Sequence, residues 1–370
     1  MSKKLVDIII PAYKAHNTIF QVLSSIAMQS MAQDIQVTVV NDCCPEGSYQ
    51  SIINRFKGFL DIKEFKLSKN GGPGTARRMG MMSTNAPYIM FCDADDSLSA
   101  PYVVKILYNN IVNNPDEGII VSNFLEESGD NQYVTHEADR VWVFSKIYRR
   151  SFLKQHNIEF TDLRANEDTC FNRKILITYN NLNKTFMSVN TVTYVWRTTN
   201  PNSITRSNNH QYTYDQSTYG FVKGMIEAFD WMDKQKIDKR IIKQELYSCM
   251  IFLYFSYCDI ATELEFLQYQ NLEFIKEFYH KVFKKYNFKW ETDPDFVTQY
   301  EENMSSLTSS THFKFNMFMA NPTITQWMEF IDKSPYNELD IIKLWNNMPK
   351  ELKEQNIKSG VVPADFYKFR

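Results

Sequence analysis

The chain has 370 residues, 44% of them apolar, and a formal net charge of −2. That length and apolar content suit two domains, or one enlarged α/β domain, while the near-neutral charge excludes a global basic field of the kind that draws proteins to nucleic acid or anionic membrane. The six cysteines form no CxxC pair and no zinc-like spacing with histidine, which points to a reducing, cytoplasmic compartment, and neither a signal peptide nor an apolar run of bilayer length is legible.

The first half reads as alternating strands and helices. Val6–Pro11 is a short apolar run without helical period. Asn17 is expected to cap a helix through about Gln29, with Ile19, Phe20, Leu23 and Ile26 on one face. Ile35–Asn41 reads as strand, Ser48–Phe59 as helix and Ile62–Leu67 as strand. Gly71-Gly72-Pro73-Gly74 opens a helix through about Ser83, followed by a strand at Tyr88–Cys92, a helix at Pro101–Asn113 and a strand at Gly118–Asn123. This βαβα order predicts a parallel, doubly wound sheet. From about Tyr212 the chain reads as almost entirely helical, for example over Gln244–Leu264, Leu272–Lys285 and Thr323–Lys333. The loop at Asn200–Asn209 is the expected boundary between residues 1–209 and a helical region at 210–370.

The most informative stretch is Asp93-Ala94-Asp95-Asp96, at the end of the apolar run Tyr88–Cys92. Three acids within four positions repel one another and raise one another's pKa unless a cation sits among them. Hard divalent ions prefer carboxylate oxygen, and open α/β sheets bind nucleotides outside the carboxyl ends of their strands. The stretch therefore reads as a metal–diphosphate site, or else as an acidic turn capping the next helix. Further constellations accompany it. Pro11-Ala12-Tyr13 ends the first strand with a tyrosine suited to lie against a flat base, or is simple turn punctuation. Asp42 ends the second strand, and its acceptor-only carboxylate suits the N3–H of uracil, or starts a turn. Asn70 to Arg78 combines glycines with a helix N-terminus and two arginines, but lacks the Gly-Lys-Ser/Thr of a P-loop. Glu167-Asp168 begins an apolar helix, either as helix-capping acids or as a general base at a site rim. Lys146–Lys154 holds four basic residues and no acid, a pattern that could track a phosphodiester backbone, although the stronger reading is a basic pattern unrelated to the acceptor.

Together these residues resemble the family 2 glycosyltransferases, the inverting group with the GT-A fold, over about residues 5–207. The resemblance rests on the strand ending in Pro11-Ala12-Tyr13, on Val40-Asn41-Asp42, on Asn70-Gly71-Gly72 leading to Ala76-Arg77-Arg78, and on Asp93-Ala94-Asp95-Asp96. It continues through Trp142…Lys146-Ile147-Tyr148-Arg149-Arg150, Glu167-Asp168 and Tyr194-Val195-Trp196-Arg197…Ser203-Ile204-Thr205. Asn41 stands where the family usually has the first of two acids, Cys43-Cys44 where it has Gly-Ser, and Arg78 where it has Asn.

The resemblance implies a Rossmann-like GT-A nucleotide-sugar domain followed by a mainly α-helical domain for acceptor binding or oligomer contact. It implies a donor site of Pro11, Ala12, Tyr13, Asp42, Asn70, Gly72, Arg77, Asp93, Ala94 and Asp95, with Arg197 as a grip on the diphosphate. Asp95, with Asp93, would hold Mn²⁺ or Mg²⁺, Asp168 would be the general base, and Glu167 would orient the acceptor or the base. The implied reaction is inverting transfer from a nucleoside diphosphate sugar, a UDP-sugar by the logic of Asp42, to an acceptor hydroxyl of a saccharide or glycoconjugate. Transfer to a hydroxylated nucleic-acid base is the alternative. A nucleotidyltransferase is disfavoured because Lys14-Ala15-His16-Asn17 follows the first strand in place of a Gly-rich loop. A non-catalytic sugar-nucleotide-binding protein is disfavoured because Asp95 and Asp168 are intact.

Overall fold

The computed structural model describes residues 4–127, 129, 132–198, 210–259, 265–308 and 323–334. The chain divides into two compact units, residues 1–206 and 207–370. The boundary loop expected at Asn200–Asn209, and with it Ser203-Ile204-Thr205, lies outside the described residues.

The first unit is built on strand β1 (Val6–Ala12). Its near-continuous apolar run is buried on both faces, as a central parallel strand requires. It pairs in parallel with β2 (Ile35–Asn41) on one side and β4 (Tyr88–Phe91) on the other, and β3 (Asp61–Lys66) extends the sheet beyond β2. The sheet is not parallel throughout, as the element order suggested. β8 (Lys146–Arg149) runs antiparallel to β4 and to β6 (Ile119–Glu127), while β9 (Met187–Arg197) pairs in parallel with β6 and antiparallel with the two-residue β5 (Ser97–Leu98). β7 (Tyr133–His136) hangs on β6. The nine-stranded sheet is therefore mixed, in the order β3-β2-β1-β4-β8-β6-β9-β5. The reversal comes at β8, whose basic and aromatic sequence gave no signal of strand direction.

Helices cover the sheet. Helix α1 (Ile19–Ala27) buries Ile19, Val22, Leu23 and Ile26. Phe20 stays 38% exposed and meets the Phe56 ring at 5.2 Å. Thr18, not Asn17, is the N-cap residue of α1. The expected helix at Ser48–Phe59 shortens to α2 (Gln50–Ile53), with residues 54–59 in turns; ahead of it Glu64 accepts from the Tyr49 N–H and the Ser48 hydroxyl. Helix α3 (Gly72–Met82) lies close on β1. A Cβ at Gly80 would fall 2.4 Å from Ile9 Cγ2, so only glycine permits that approach. Helices α4 (Val103–Asn113), α5 (Arg150–Gln155) and α6 (Glu167–Asn181) complete the unit.

Three of the four basic residues in Lys146–Lys154 turn inward, which speaks against a nucleic-acid track, while Lys154 is exposed. Lys146 is buried and donates to the carbonyls of Trp142 and Phe144, with burial lowering its pKa to about 8. Arg149 caps the end of α4 through the carbonyls of Ile111 and Asn114. Arg150 bonds Asp7, 2.6 Å away, and the carbonyls of Ala86 and Met81.

The second unit is helical, with long helices at His210–Gln235 and Lys239–Asp259. Phe229, Leu246, Tyr254, Phe278 and Trp327 are buried in it. Its helix Ile324–Lys333 opens with a capping box between Thr323 and Gln326. Glu277 is buried there; burial pushes its carboxyl up, but Lys223 and Lys281 outweigh this and hold it below the usual range.

The Asp7–Arg150 pair is the deepest ion pair tying β1 to α5, so Asp7→Ala leaves a buried guanidinium without its counter-ion. Chemical denaturation should show a loss of about 3–5 kcal/mol. Lys4→Ala, which removes an outlying pair at 3.7 Å from Asp61, should cost less than about 1 kcal/mol. Equal losses for the two variants would contradict this account.

Candidate active site

The acids converge at the carboxyl end of β4. The turn Asp93–Asp96 closes with the Asp96 N–H donating to the Asp93 carbonyl at 3.2 Å. The three carboxyls do different work. Asp96 is 1% exposed and serves the fold. Its Oδ2 accepts from the Tyr194 hydroxyl at 2.6 Å and its Oδ1 from the Arg197 N–H at 2.8 Å. The same Tyr194 oxygen accepts from the Asp93 N–H at 3.0 Å. Burial, then the charges of Asp93 and Asp95, push the Asp96 carboxyl well above its ordinary range. Asp93 and Asp95 are only partly covered, and Ala94 between them is buried.

Arg77, on the second turn of α3, lies beneath these acids and is 4% exposed. One terminal nitrogen donates to Asp93 Oδ1 at 2.6 Å and the other to Glu167 Oε1 at the start of α6. Burial works against its charge, but Asp93, Glu167 and Asp168 outweigh burial and raise its pKa. The guanidinium thus faces inward, toward protein acids, where the sequence suggested reach to a base or phosphate. Arg78 is turned to the surface and pairs with Asp162 at 2.7 Å.

Glu167 and Asp168 are adjacent yet differently placed. Glu167 is buried against Arg77, and burial together with Asp168 lifts its pKa to about 7. Asp168 is partly exposed and accepts from the Thr169 N–H at 2.7 Å. Burial raises its pKa and Arg77 opposes that rise. Asn166 ahead of them has φ of 62° and starts α6 abruptly, which sets both acids on the first turn. Of the two, Asp168 is the one that keeps some exposure.

Asp42 has a structural partner that the sequence did not disclose. Its Oδ1 and Oδ2 accept from the N–H groups of Gly71 and Gly72 at 2.7 and 2.8 Å. The anion at the N-terminus of α3 is therefore the protein's own carboxylate. Burial raises the Asp42 pKa, and the two glycine N–H groups oppose the rise. Gly72 holds φ of 82°, and a Cβ at Gly74 would meet the Thr161 carbonyl oxygen at 2.4 Å, so this turn packs tightly against residues 161–164. Asn70 donates to the Asp42 carbonyl at 3.1 Å, and its own Oδ1 is buried without a hydrogen-bond partner. Tyr13 is 46% exposed past the end of β1, after half-buried Pro11 and buried Ala12. Arg197 reaches Gln21 of α1 through a terminal nitrogen.

The carboxylates of Asp93 and Asp95 suit a hard divalent cation such as Mn²⁺ or Mg²⁺. Asp93 and Asp95 raise Asp96, Asp168 raises Glu167, and Asp93 raises Asp168. In each case burial is the larger cause and the neighbouring carboxylate adds to it. Sequence reasoning missed two of the residues that build the site, Asp96 as an internal acceptor and Tyr194 as its clamp. The only signal was a tyrosine set three residues before Arg197.

Residues 7–174 match the family model for glycosyl transferase family 2, a span that includes Asp42, Asp93, Asp95, Asp96, Glu167 and Asp168. Over that stretch, which is less than half of the chain, the sequence is similar to the family 2 glycosyltransferases. It is 25% identical over 190 residues to the poly(ribitol-phosphate) β-N-acetylglucosaminyltransferase TarS of Staphylococcus aureus, a match covering 48% of this chain and 33% of that protein. It is 28% identical over 225 residues to the uncharacterized glycosyltransferase EpsJ of Bacillus subtilis, covering 54% of this chain and 63% of that one. The chain thus spans about a third of TarS and less than two thirds of EpsJ. The crystal structure of S. aureus TarS 1–349 in complex with UDP superposes with a TM-score of 0.58 at 17% identity, over 84% of this chain and 94% of that one. The shared feature is the fold, a GT-A-like mixed sheet followed by a helical region.

Tyr194→Phe tests the clamp. It removes the donor to Asp96 and the acceptor for the Asp93 N–H, both in a buried setting. Stability should fall by about 1–3 kcal/mol, the cost of stranding buried polar groups. A loss below about 0.5 kcal/mol would show that the hydroxyl holds neither.

Proposed function

We propose that the protein is an inverting, metal-dependent glycosyltransferase that moves a sugar from a uridine diphosphate sugar to a hydroxyl of a saccharide or glycoconjugate. The observation that carries this reading is the division of labour among the acids around Arg77. Asp93 and Asp95 stand at the strand end, Asp168 is partly exposed at the start of α6, and Glu167 is committed to Arg77.

Asp95 and Asp93 would hold the Mn²⁺ or Mg²⁺. When bound, the cation neutralises the negative charge that grows on the leaving diphosphate. Arg77 holds Asp93 to Glu167, and so fixes the donor acids relative to the acceptor acids. Asp168 takes the proton of the acceptor hydroxyl as that oxygen attacks the anomeric carbon from the face opposite the diphosphate. A single displacement of this kind inverts the centre, and general-base help of this sort is worth about 10²–10⁴ in rate. Glu167, with its raised pKa and its bond to Arg77, is a positioning group.

Uridine is supported by Asp42 beside an exposed Tyr13. An ionised carboxylate has about four lone-pair sites, and Gly71 and Gly72 use two of them. The unpartnered Asn70 Oδ1 adds an acceptor for a donor hydroxyl. Ala94 and Gly72 line the approach to the diphosphate in this reading, and Arg197 grips it.

For the acceptor, the relatives' names point to a polyol-phosphate polymer, since they include poly(ribitol-phosphate) transferases and a teichoic acid poly(glycerol phosphate) polymerase of Staphylococcus epidermidis. Such a polymer is a glycoconjugate with free hydroxyls and is the first acceptor to test. Transfer to a nucleic-acid base loses its motive, because Lys146, Arg149 and Arg150 spend their donors inside the unit. Residues 1–209 are proposed as the catalytic domain, and 210–370 as the part that selects acceptor or contacts a second subunit.

The test pairs donor binding with turnover. Asp168→Asn should bind a UDP-sugar with Mn²⁺ as wild type does, while turnover falls at least about 10²-fold. Asp95→Asn should lose metal-dependent donor binding. Glu167→Gln should be milder than Asp168→Asn in turnover. The reverse order for the two neighbours would transfer the base to Glu167, and wild-type donor binding by Asp95→Asn would remove the metal assignment.

A further inference from the structure

His16, Cys44 and Glu46 are far apart in sequence, and the fold brings them together. His16 lies between β1 and α1, and the other two follow β2. One ligand atom from each lies within 4.8 Å of the others. In tetrahedral coordination by nitrogen, sulfur and oxygen at zinc bond lengths, donor atoms sit about 3.3–3.8 Å apart, so small side-chain movements would close the set.

The histidine is oriented for such a role. Its Nε2 lies 3.3 Å from the Ser48 carbonyl oxygen, which accepts only, so Nε2 is the nitrogen that donates there and Nδ1 is the one turned to Glu46. Tyr49 stacks on the ring with centroids 4.3 Å apart and holds its plane. A ring N–H donated to a backbone carbonyl is the usual outer support of a metal-bound histidine. Nδ1 is buried and lies 2.9 Å from Glu46 Oε2. Two such atoms at that distance need a cation between them, either a proton, which makes them an ion pair, or a metal ion. Cys44, 4% exposed, supplies a sulfur whose contacts include the Lys14 N–H at 3.3 Å.

We propose that His16 Nδ1, Cys44 Sγ and Glu46 Oε2 form a binding site for a borderline divalent cation of the Zn²⁺ type, distinct from the acids at Asp93–Asp96. One thiolate, one imidazole and one carboxylate match zinc, whereas magnesium and manganese favour all-oxygen sets. Three protein ligands leave a fourth position for water, on the side where the Glu46 side chain is 51% exposed. Occupancy would fasten the loop after β2 to the loop after β1, two residues from Asp42. The site stands independently of the glycosyltransferase mechanism.

The reduced, full-length protein should be titrated with Co²⁺ and read by absorbance. A thiolate bound to Co²⁺ gives an intense near-ultraviolet charge-transfer band, which carboxylates such as Asp93 and Asp95 do not. Wild type and Cys43→Ser should reach a full band at one equivalent, and added Zn²⁺ should erase it. Cys44→Ser should show no band, and His16→Ala should need at least about tenfold more Co²⁺. No band in wild type, a band that survives Cys44→Ser, a band lost in Cys43→Ser, or unchanged affinity in His16→Ala would each overturn the site. The last result would indicate that His16 and Glu46 are an ordinary ion pair.

Discussion

One buried cation organises the first unit's chemistry. Arg77 has no route to bulk water, and its charge is kept by carboxylates from two separate elements, Asp93 at the end of β4 and Glu167 at the start of α6. A buried guanidinium without such partners costs several kcal/mol, so α3, β4 and α6 are obliged to meet there. The turn carrying Asp93 and Asp95 and the turn carrying Asp168 are consequently held on either side of one rigid group. The proposed displacement would use such an arrangement, because its donor and its base must act along one line.

Two further clamps use acids in the same inward way. Asp42 fills the N-terminus of α3 and fixes the Gly71–Gly72 turn. Asp96 ties β9, through Tyr194 and the Arg197 N–H, to the turn after β4. Of the acids in the signature stretches, Asp42, Asp96 and Glu167 are spent substantially on the fold. Asp93, Asp95 and Asp168 retain exposure. Dense acidic motifs of this type contain both kinds of residue, and burial with hydrogen-bond partners separates them.

Strands β1 to β4, the first part of β6 and the start of α6 were legible because local signals agree with the fold there, whereas β5 was not. β1 and β2 are uniform apolar runs, and α3 opens with glycines and a proline. Where the signal was weak, tertiary contacts decided. The direction of β8 is set by pairing between β4 and β6, which no local pattern encodes. The start of the helix after Ser48 is set by Glu64, a residue of β3 that accepts from Ser48 and Tyr49. Arg77 reads in sequence as a cation beside a Gly-rich turn, and only packing shows that it points at two protein acids. His16, Cys44 and Glu46 were invisible as a group because their proximity depends on β1 and β2 pairing in register.

The most direct test of the central role of Arg77 is a ¹³C-NMR titration of the carboxyl resonance that disappears in Glu167→Gln. In wild type this group should titrate at about 7, raised by burial and by Asp168 against the opposing pull of Arg77. Removing the guanidinium in Arg77→Met should move the titration to still higher pH, while Arg77→Lys, which keeps a charge, should move it less. A Glu167 carboxyl that titrates near 4.5, the ordinary value for glutamate, and does not shift in Arg77→Met would contradict the account.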